Sequence, residues 1–212
     1  MSAVPSPIAH DVESVGRDAP SLAPKAAGYF FIVAAVAVAT TVPLLSQLSL
    51  DTPGWATFVI LAAIAAVAQL FVVRTPRNQS YHTTIVFLIP AAMLLPPELV
   101  VLMGVVQHIP EWLKNRSAWY IQIFNICNWT LALLAAYASF HAVSGLAPDS
   151  NVVYALAGIS AAAALVAVNH FLMAPMMHLA RGHSVRESGL FSFPSLSTDL
   201  VLAMLGVAMA AF

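Results

Sequence analysis

The 212-residue chain is 60% apolar and only 8% charged, with eight Lys and Arg against nine Asp and Glu, for a net charge of −1. Soluble domains carry about 25% charged residues, so there is too little ionic surface here to hold a folded globule of this size in water. The mean hydropathy of +0.86 agrees. A nucleic-acid binder is excluded for want of a basic patch, and the single cysteine, Cys127, excludes a disulfide framework or a cysteine zinc site.

In chain order, residues 1–26 are rich in Pro, Ser and Asp and include Asp11, Glu13, Arg17 and Asp18. They cannot bury enough surface to offset their ordering entropy, so they are predicted to be a disordered cytosolic tail. Residues 27–212 are predicted to be an all-α, polytopic transmembrane helix bundle. A spanning helix needs about 20 apolar residues, and the runs 27–50 and 55–73 meet that length. Runs 82–95 and 99–109 are short and joined by Pro96-Pro97, which ends one helix and starts the next. Two thin spans are favoured there over a re-entrant hairpin. Runs 119–143, 152–172 with an extension to 179, and 196–212 complete about seven spans.

The basic residues fall into four clusters: Arg17/Lys25, Arg74/Arg77, Lys114/Arg116 and Arg181/Arg186. With alternating spans all four lie on one face, which the positive-inside rule makes cytoplasmic. This predicts a multi-pass protein of the bacterial cytoplasmic membrane with its amino terminus inside. The last run reaches Phe212 without an interfacial anchor, so the chain is expected to be truncated before an eighth span.

Ionisable and amide side chains inside spans are expensive, which makes them the first functional candidates. Gln69, His82, Gln107, His108, Glu111, Gln122, Asn125, Asn128, Asn169, His170 and Asp199 all fall in the cytoplasmic half of that topology. The outer half is nearly pure Ala, Val, Leu and Ile. Gln122, Asn125, Asn128, His108, Asn169, His170 and Asp199 form the candidate ligand-binding or coupling set. Gln122, Asn125 and Asn128 recur every third residue and are predicted to form one stripe facing protein. Interhelical hydrogen bonding is the favoured role, ahead of a ligand cavity.

His108 and Glu111 have the spacing of two metal ligands on a helix, but Pro110 argues against a regular helix there, and no metal is expected. Asp199 follows Ser197-Thr198 and is predicted to cap the last helix. Ala34/Val38, Ala62/Ala66 and Ala157/Ala161 are candidate close-packing faces. Pro175, among Met173, Met176 and Met177, is expected to kink its helix. Trp112, Trp119 and Tyr120 suit an interfacial belt. There is no His-Glu-x-x-His, Gly-x-Ser-x-Gly or Gly-rich phosphate loop, so neither an enzyme nor a cofactor is expected.

The stretch 94–140 contains Leu-Leu-Pro-Pro-Glu-Leu-Val-Val-Leu, then His-Ile-Pro-Glu-Trp-Leu, then a span with Phe124, Asn125 and Asn128. It resembles the multi-span amino-terminal region of bacterial signalling proteins that end in an HD/HD-GYP phosphohydrolase or a GGDEF diguanylate cyclase domain. In that family a Pro-Pro-Glu hairpin precedes a short basic loop and a Phe-Asn-x-x-Asn/Gln span. The closing run 198–212 is similar to the family's penultimate helix. The resemblance implies a membrane sensory or anchoring module whose effector is absent from this chain, and no catalytic residue carries over. A solute-carrier subunit similar to the substrate-binding component of energy-coupling-factor importers is the alternative. The bilayer is the expected partner, and a homodimer through transmembrane helices is allowed.

Overall fold

A computed structural model describes residues 22–71, 73–74, 80–81, 83–182, 184 and 186–212. Most of the predicted tail, together with His82 and His183, lies outside these residues. Among them are eight helices: α1 Pro24–Leu45, α2 Trp55–Gln69, α3 Ile85–Leu94, α4 Pro97–Val106, α5 Ile109–Asn115, α6 Trp119–Ser144, α7 Asn151–Arg181 and α8 Phe193–Ala210. A two-residue antiparallel pair, β1 (Val73–Arg74) with β2 (Ser80–Tyr81), joins α2 to α3.

Local chemistry sets the helix ends. Pro24 starts α1 at a position where its missing N–H costs nothing. The helical unit therefore begins inside the stretch assigned to the tail, and Ala26 is fully buried. Ser150 caps α7 by accepting from the Val153 N–H, and Gly182 closes it in the left-handed conformation with φ of 70°. α7 runs through Pro175 as one continuous helix. Ser192 caps α8 by accepting from the Ser195 N–H, with Pro194 in the first turn.

α3 forms the centre of the bundle. Ile85, Leu88, Ile89, Ala91 and Ala92 are at most 1% exposed, and α3 packs on α2, α4, α6, α7 and α8. α6 and α7 make the most extensive pairing, and Ala157 and Ala161 are fully buried on it, as the small-residue pattern predicts. On α1 the buried face is Ala26, Phe30, Val33 and Ala37, whereas Val38 is 57% exposed. The Ala34/Val38 face is thus corrected by about one residue, a rotation of about 100°.

Three glycines let helices cross closely. A Cβ on Gly206 of α8 would lie 2.8 Å from the Val86 carbonyl oxygen and 2.9 Å from Ile89 Cβ of α3. One on Gly104 of α4 would strike the Thr130 hydroxyl and lie 3.0 Å from Thr130 Cα of α6. One on Gly158 of α7 would strike Val207 Cγ1 of α8.

α3 and α4 have ten residues each, about 15 Å of helix against a hydrocarbon core of about 30 Å. Their turn nevertheless meets the start of α2, because a Cβ on Gly54 would lie 3.3 Å from Leu95 Cδ2 and 3.6 Å from Pro96 Cδ. The tip of the hairpin is therefore level with the Trp55 end of α2. α5 is a helix the apolar runs do not foresee. Pro110 stands in its first turn, where proline is tolerated, so the expectation that Pro110 prevents a helix is corrected.

Candidate functional site

The described polar side chains named from the sequence sit at the end of the bundle that also carries Lys114, Arg116 and Arg181, and all but Asn125 fall into two groups.

The first group joins α2, α5 and α6. Gln69, the last residue of α2, donates from Nε2 to Glu111 Oε2 at 2.6 Å, and His108 Nδ1 approaches the same oxygen at 4.0 Å. Gln122 of α6 donates to the His108 carbonyl oxygen at 3.1 Å. Gln69, Gln107, His108 and Gln122 are all at most 5% exposed. Lys114 Nζ donates to the Leu70 carbonyl oxygen at 3.0 Å, which pins α5 to the end of α2. Among the described residues Gln69 Oε1 and Gln107 Nε2 have no hydrogen-bond partner. Also among them, no three His, Cys, Asp or Glu side chains converge as a metal site would require.

The second group joins α6, α7 and α8. Asn128 is fully buried and donates from Nδ2 to Asn169 Oδ1 at 2.5 Å. The next residue of α7, His170, points about 100° further round the helix. Its Nε2 lies 3.5 Å from Asp199 Oδ2 of α8, and its Nδ1 lies 2.9 Å from the Val166 carbonyl oxygen. A carbonyl only accepts, so Nδ1 carries a proton. The His170 ring is 5.8 Å from that of Phe191.

Two sequence expectations change. Asp199 does not cap α8: the helix starts six residues earlier at Phe193 and Ser192 is its cap. Proline is best accommodated in a first turn, where its missing N–H costs nothing, so Ser192 and Pro194 together set the start there, and Asp199 is an interior residue, 8% exposed. The amide stripe is also divided. Three residues turn a helix through about 300°, so Gln122 and Asn128 end about 120° apart. Gln122 therefore meets α5 and Asn128 meets α7, while Asn125 between them is half-buried. Trp112 and Trp119 are 50% and 61% exposed, and Tyr120 is half-buried. Buried Thr84, Thr130 and Ser195 were not singled out from the sequence, and Glu98, at 9% exposure in the first turn of α4, entered only as part of the Pro-Pro-Glu resemblance. Glu98 follows Pro96-Pro97, and a proline start with an acidic first turn was the available signal.

Four helices, α1, α6, α7 and α8, are long and apolar enough to cross a membrane, and their outer faces carry exposed Phe31, Ile32, Leu156, Val201 and Leu205. Together with the interhelical amide pairs, this defines a helical membrane protein. Comparisons with protein families, with curated proteins and with solved structures find no match.

Proposed function

We propose that the chain is a membrane-embedded sensory or anchoring module of a bacterial signalling protein of the HD or GGDEF kind, whose polar layer couples its helices. The observation that carries this reading is the continuity of the polar contacts. Gln69–Glu111 joins α2 to α5, Gln122 joins α6 to α5, Asn128–Asn169 joins α6 to α7, and His170–Asp199 joins α7 to α8. A displacement of one helix is thereby transmitted to the next at a single end. A solute carrier would instead present free polar groups to a cavity. A cleft of about 530 Å³ between α1, α4 and α6 is lined by Pro43, Leu44, Leu131 and Leu134, with Tyr137 and with Thr40, whose hydroxyl donates to carbonyls of its own helix, which suits acyl chains rather than a polar solute.

The topology that goes with this reading has seven crossings, α1, α2, α3, α4, α6, α7 and α8, with α5 lying in the interface. The level contact of the Pro96 turn with Gly54 supports counting α3 and α4 as two crossings of a thin region. The basic end faces the cytoplasm by the positive-inside rule. In a Cys127→Ser background, cysteines at Asp51 or Asp149 should react with an impermeant thiol reagent on intact cells. Cysteines at Arg116 or Arg186 should react only after the membrane is opened. Labelling of Arg186→Cys on intact cells would overturn the orientation.

The function is tested in the native host. Asn128→Leu, introduced at the chromosomal copy, should shift the cellular cyclic dinucleotide level at least twofold, while the purified chain should neither make nor hydrolyse cyclic dinucleotides. An unchanged level, with proteoliposomes of the chain accumulating a polar solute, would replace the signalling reading with the carrier one.

A further inference from the structure

We infer that His170 and Asp199 form an intramembrane proton-binding site that closes the α7–α8 contact when occupied and loosens it when empty. This rests on the geometry of the pair and stands apart from the signalling reading. The His170 Nδ1–H is committed to the Val166 carbonyl oxygen at 2.9 Å, so only Nε2 faces α8. Nε2 lies 3.5 Å from Asp199 Oδ2. With Nδ1–H kept on the Val166 carbonyl, a neutral imidazole would turn a lone pair toward a carboxylate there, two acceptors in a buried contact, and the other tautomer relieves this only by giving up the Val166 bond. One further proton resolves it. On Nε2 it makes an imidazolium that donates to Asp199, and on Asp199 it makes a carboxylic acid that donates to Nε2. Binding therefore takes up one proton from water, and release returns it, with no other bond made or broken.

Among the described residues, the titratable side chains on the elements around the pair are bonded elsewhere or stand apart from it. His170 is 2% exposed and the Asp199 side chain 12%. α3 has no titratable residue between Ile85 and Leu94. α6 brings the amide Asn128, bonded to Asn169, and its Cys127 lies in the separate cluster with Phe30 and Met176. From α1, Tyr29 donates its hydroxyl to the Leu172 carbonyl oxygen at 2.9 Å. On α8 itself Ser195 is buried about one turn before Asp199, and β2, which packs on α8, has Tyr81 as its one titratable residue. His178 and Arg181 stand at the exposed end of α7, and in the following loop Arg186 is exposed while Glu187 accepts from the Ser184 N–H at 2.8 Å. Asp199 is six residues into α8, about 9 Å from its start, so the proton exchanges with the basic end of the bundle.

The sign follows from the contact. The proton is present at low pH and the α7–α8 contact holds; as pH rises past the point of release, a carboxylate faces a lone pair and the contact weakens. The melting temperature of the full chain in detergent should fall on the order of 2–4 °C more across that range than in Asp199→Asn. The asparagine can donate from Nδ2 to a neutral Nε2 or accept on Oδ1 from a protonated one, so the variant keeps a hydrogen bond at every pH and should lack this component of the profile. His170→Gln should lack it too, and the double variant should show no additional loss. Identical pH profiles for wild type and Asp199→Asn would overturn the site. A measurement on the wild type alone guards against a variant that fails to fold. Solid-state NMR of protein with ¹⁵N-histidine and ¹³C-aspartate should show one of the seven histidines in close dipolar contact with an aspartate Cγ. Its Nδ1 should remain protonated throughout, and the pair should release one proton on raising pH. A contacting histidine and aspartate that lose no proton between pH 5 and 9 would equally overturn it.

Discussion

Gly206→Leu should prevent α8 from reaching α3 and lower the melting temperature of the purified protein well below that of any surface substitution. The site leaves no room even for a methyl group. A Cβ there lies 2.8 Å from a backbone oxygen, Val86 O, and 2.9 Å from Ile89 Cβ, with Pro90 Cδ at 3.1 Å. Backbone and a ring cannot rotate away as a flexible side chain can, so the helices themselves must separate. Overpacking of this kind costs about 1–3 kcal/mol for small additions, or a loss on the order of 2–12 °C at roughly 2–4 °C per kcal/mol. Gly206→Ala should fall in that interval and Gly206→Leu beyond it. Gly28→Ala is the matched control: it lies in α1 with nothing within 4 Å of the added carbon, and replacing an open helical glycine should stabilise by up to about 1 kcal/mol. Thermal melts of the three variants in one detergent decide the matter. Gly206→Ala melting with the wild type would show that α8 does not cross α3 at this point.

The second expected result concerns the bonded amides. Asn128→Leu should destabilise the bundle by about 0.6–2 kcal/mol, the range of interhelical polar contacts in membranes. Asn128 is fully buried and shares a 2.5 Å hydrogen bond with Asn169, so the leucine removes the bond and leaves the Asn169 oxygen facing an apolar group. Asn169→Leu should cost a similar amount, and the double variant less than the sum, with a coupling energy of about 0.6 kcal/mol or more. Asn125→Leu should cost less than Asn128→Leu, because Asn125 is only half-buried. Additive single and double variants would show that the two amides do not support one another. A metabolite that stabilises the wild type but not Asn125→Leu, with both equally stable alone, would make the amides a binding site instead.

The amide stripe also shows how far spacing alone can be carried. Residues three apart are neighbours on a helix, and Gln122, Asn125 and Asn128 had to face protein in part because lipid offers them no partner. The drift of about 60° per step sends the first to α5 and the last to α7, and which neighbours stand there is a property of the bundle. The Asp199 cap failed for a similar local reason. Ser197-Thr198-Asp199 and Ser192-Phe193-Pro194 both look like helix starts, and the second prevails because Ser192 caps the helix and proline is favoured in a first turn. α5 escaped notice because its seven residues, Ile109–Asn115, include Glu111 and Lys114 and so have no apolar run.

What the sequence determined by itself is the solvent the chain folds in and the end at which its polarity gathers. An 8% charged composition leaves little choice of medium, and the order of apolar runs, basic clusters and amides is written along the chain. The tertiary structure alone decided the partners. Gln69 meets Glu111 across 42 residues, Asn128 meets Asn169 across 41, and His170 meets Asp199 from the next helix. Those pairings depend on crossings that Gly104, Gly158 and Gly206 permit by lacking a side chain. Between apolar helices in lipid there is little hydrophobic force to select a register, so close van der Waals approach and the few available hydrogen bonds choose it, and both are properties of two helices together.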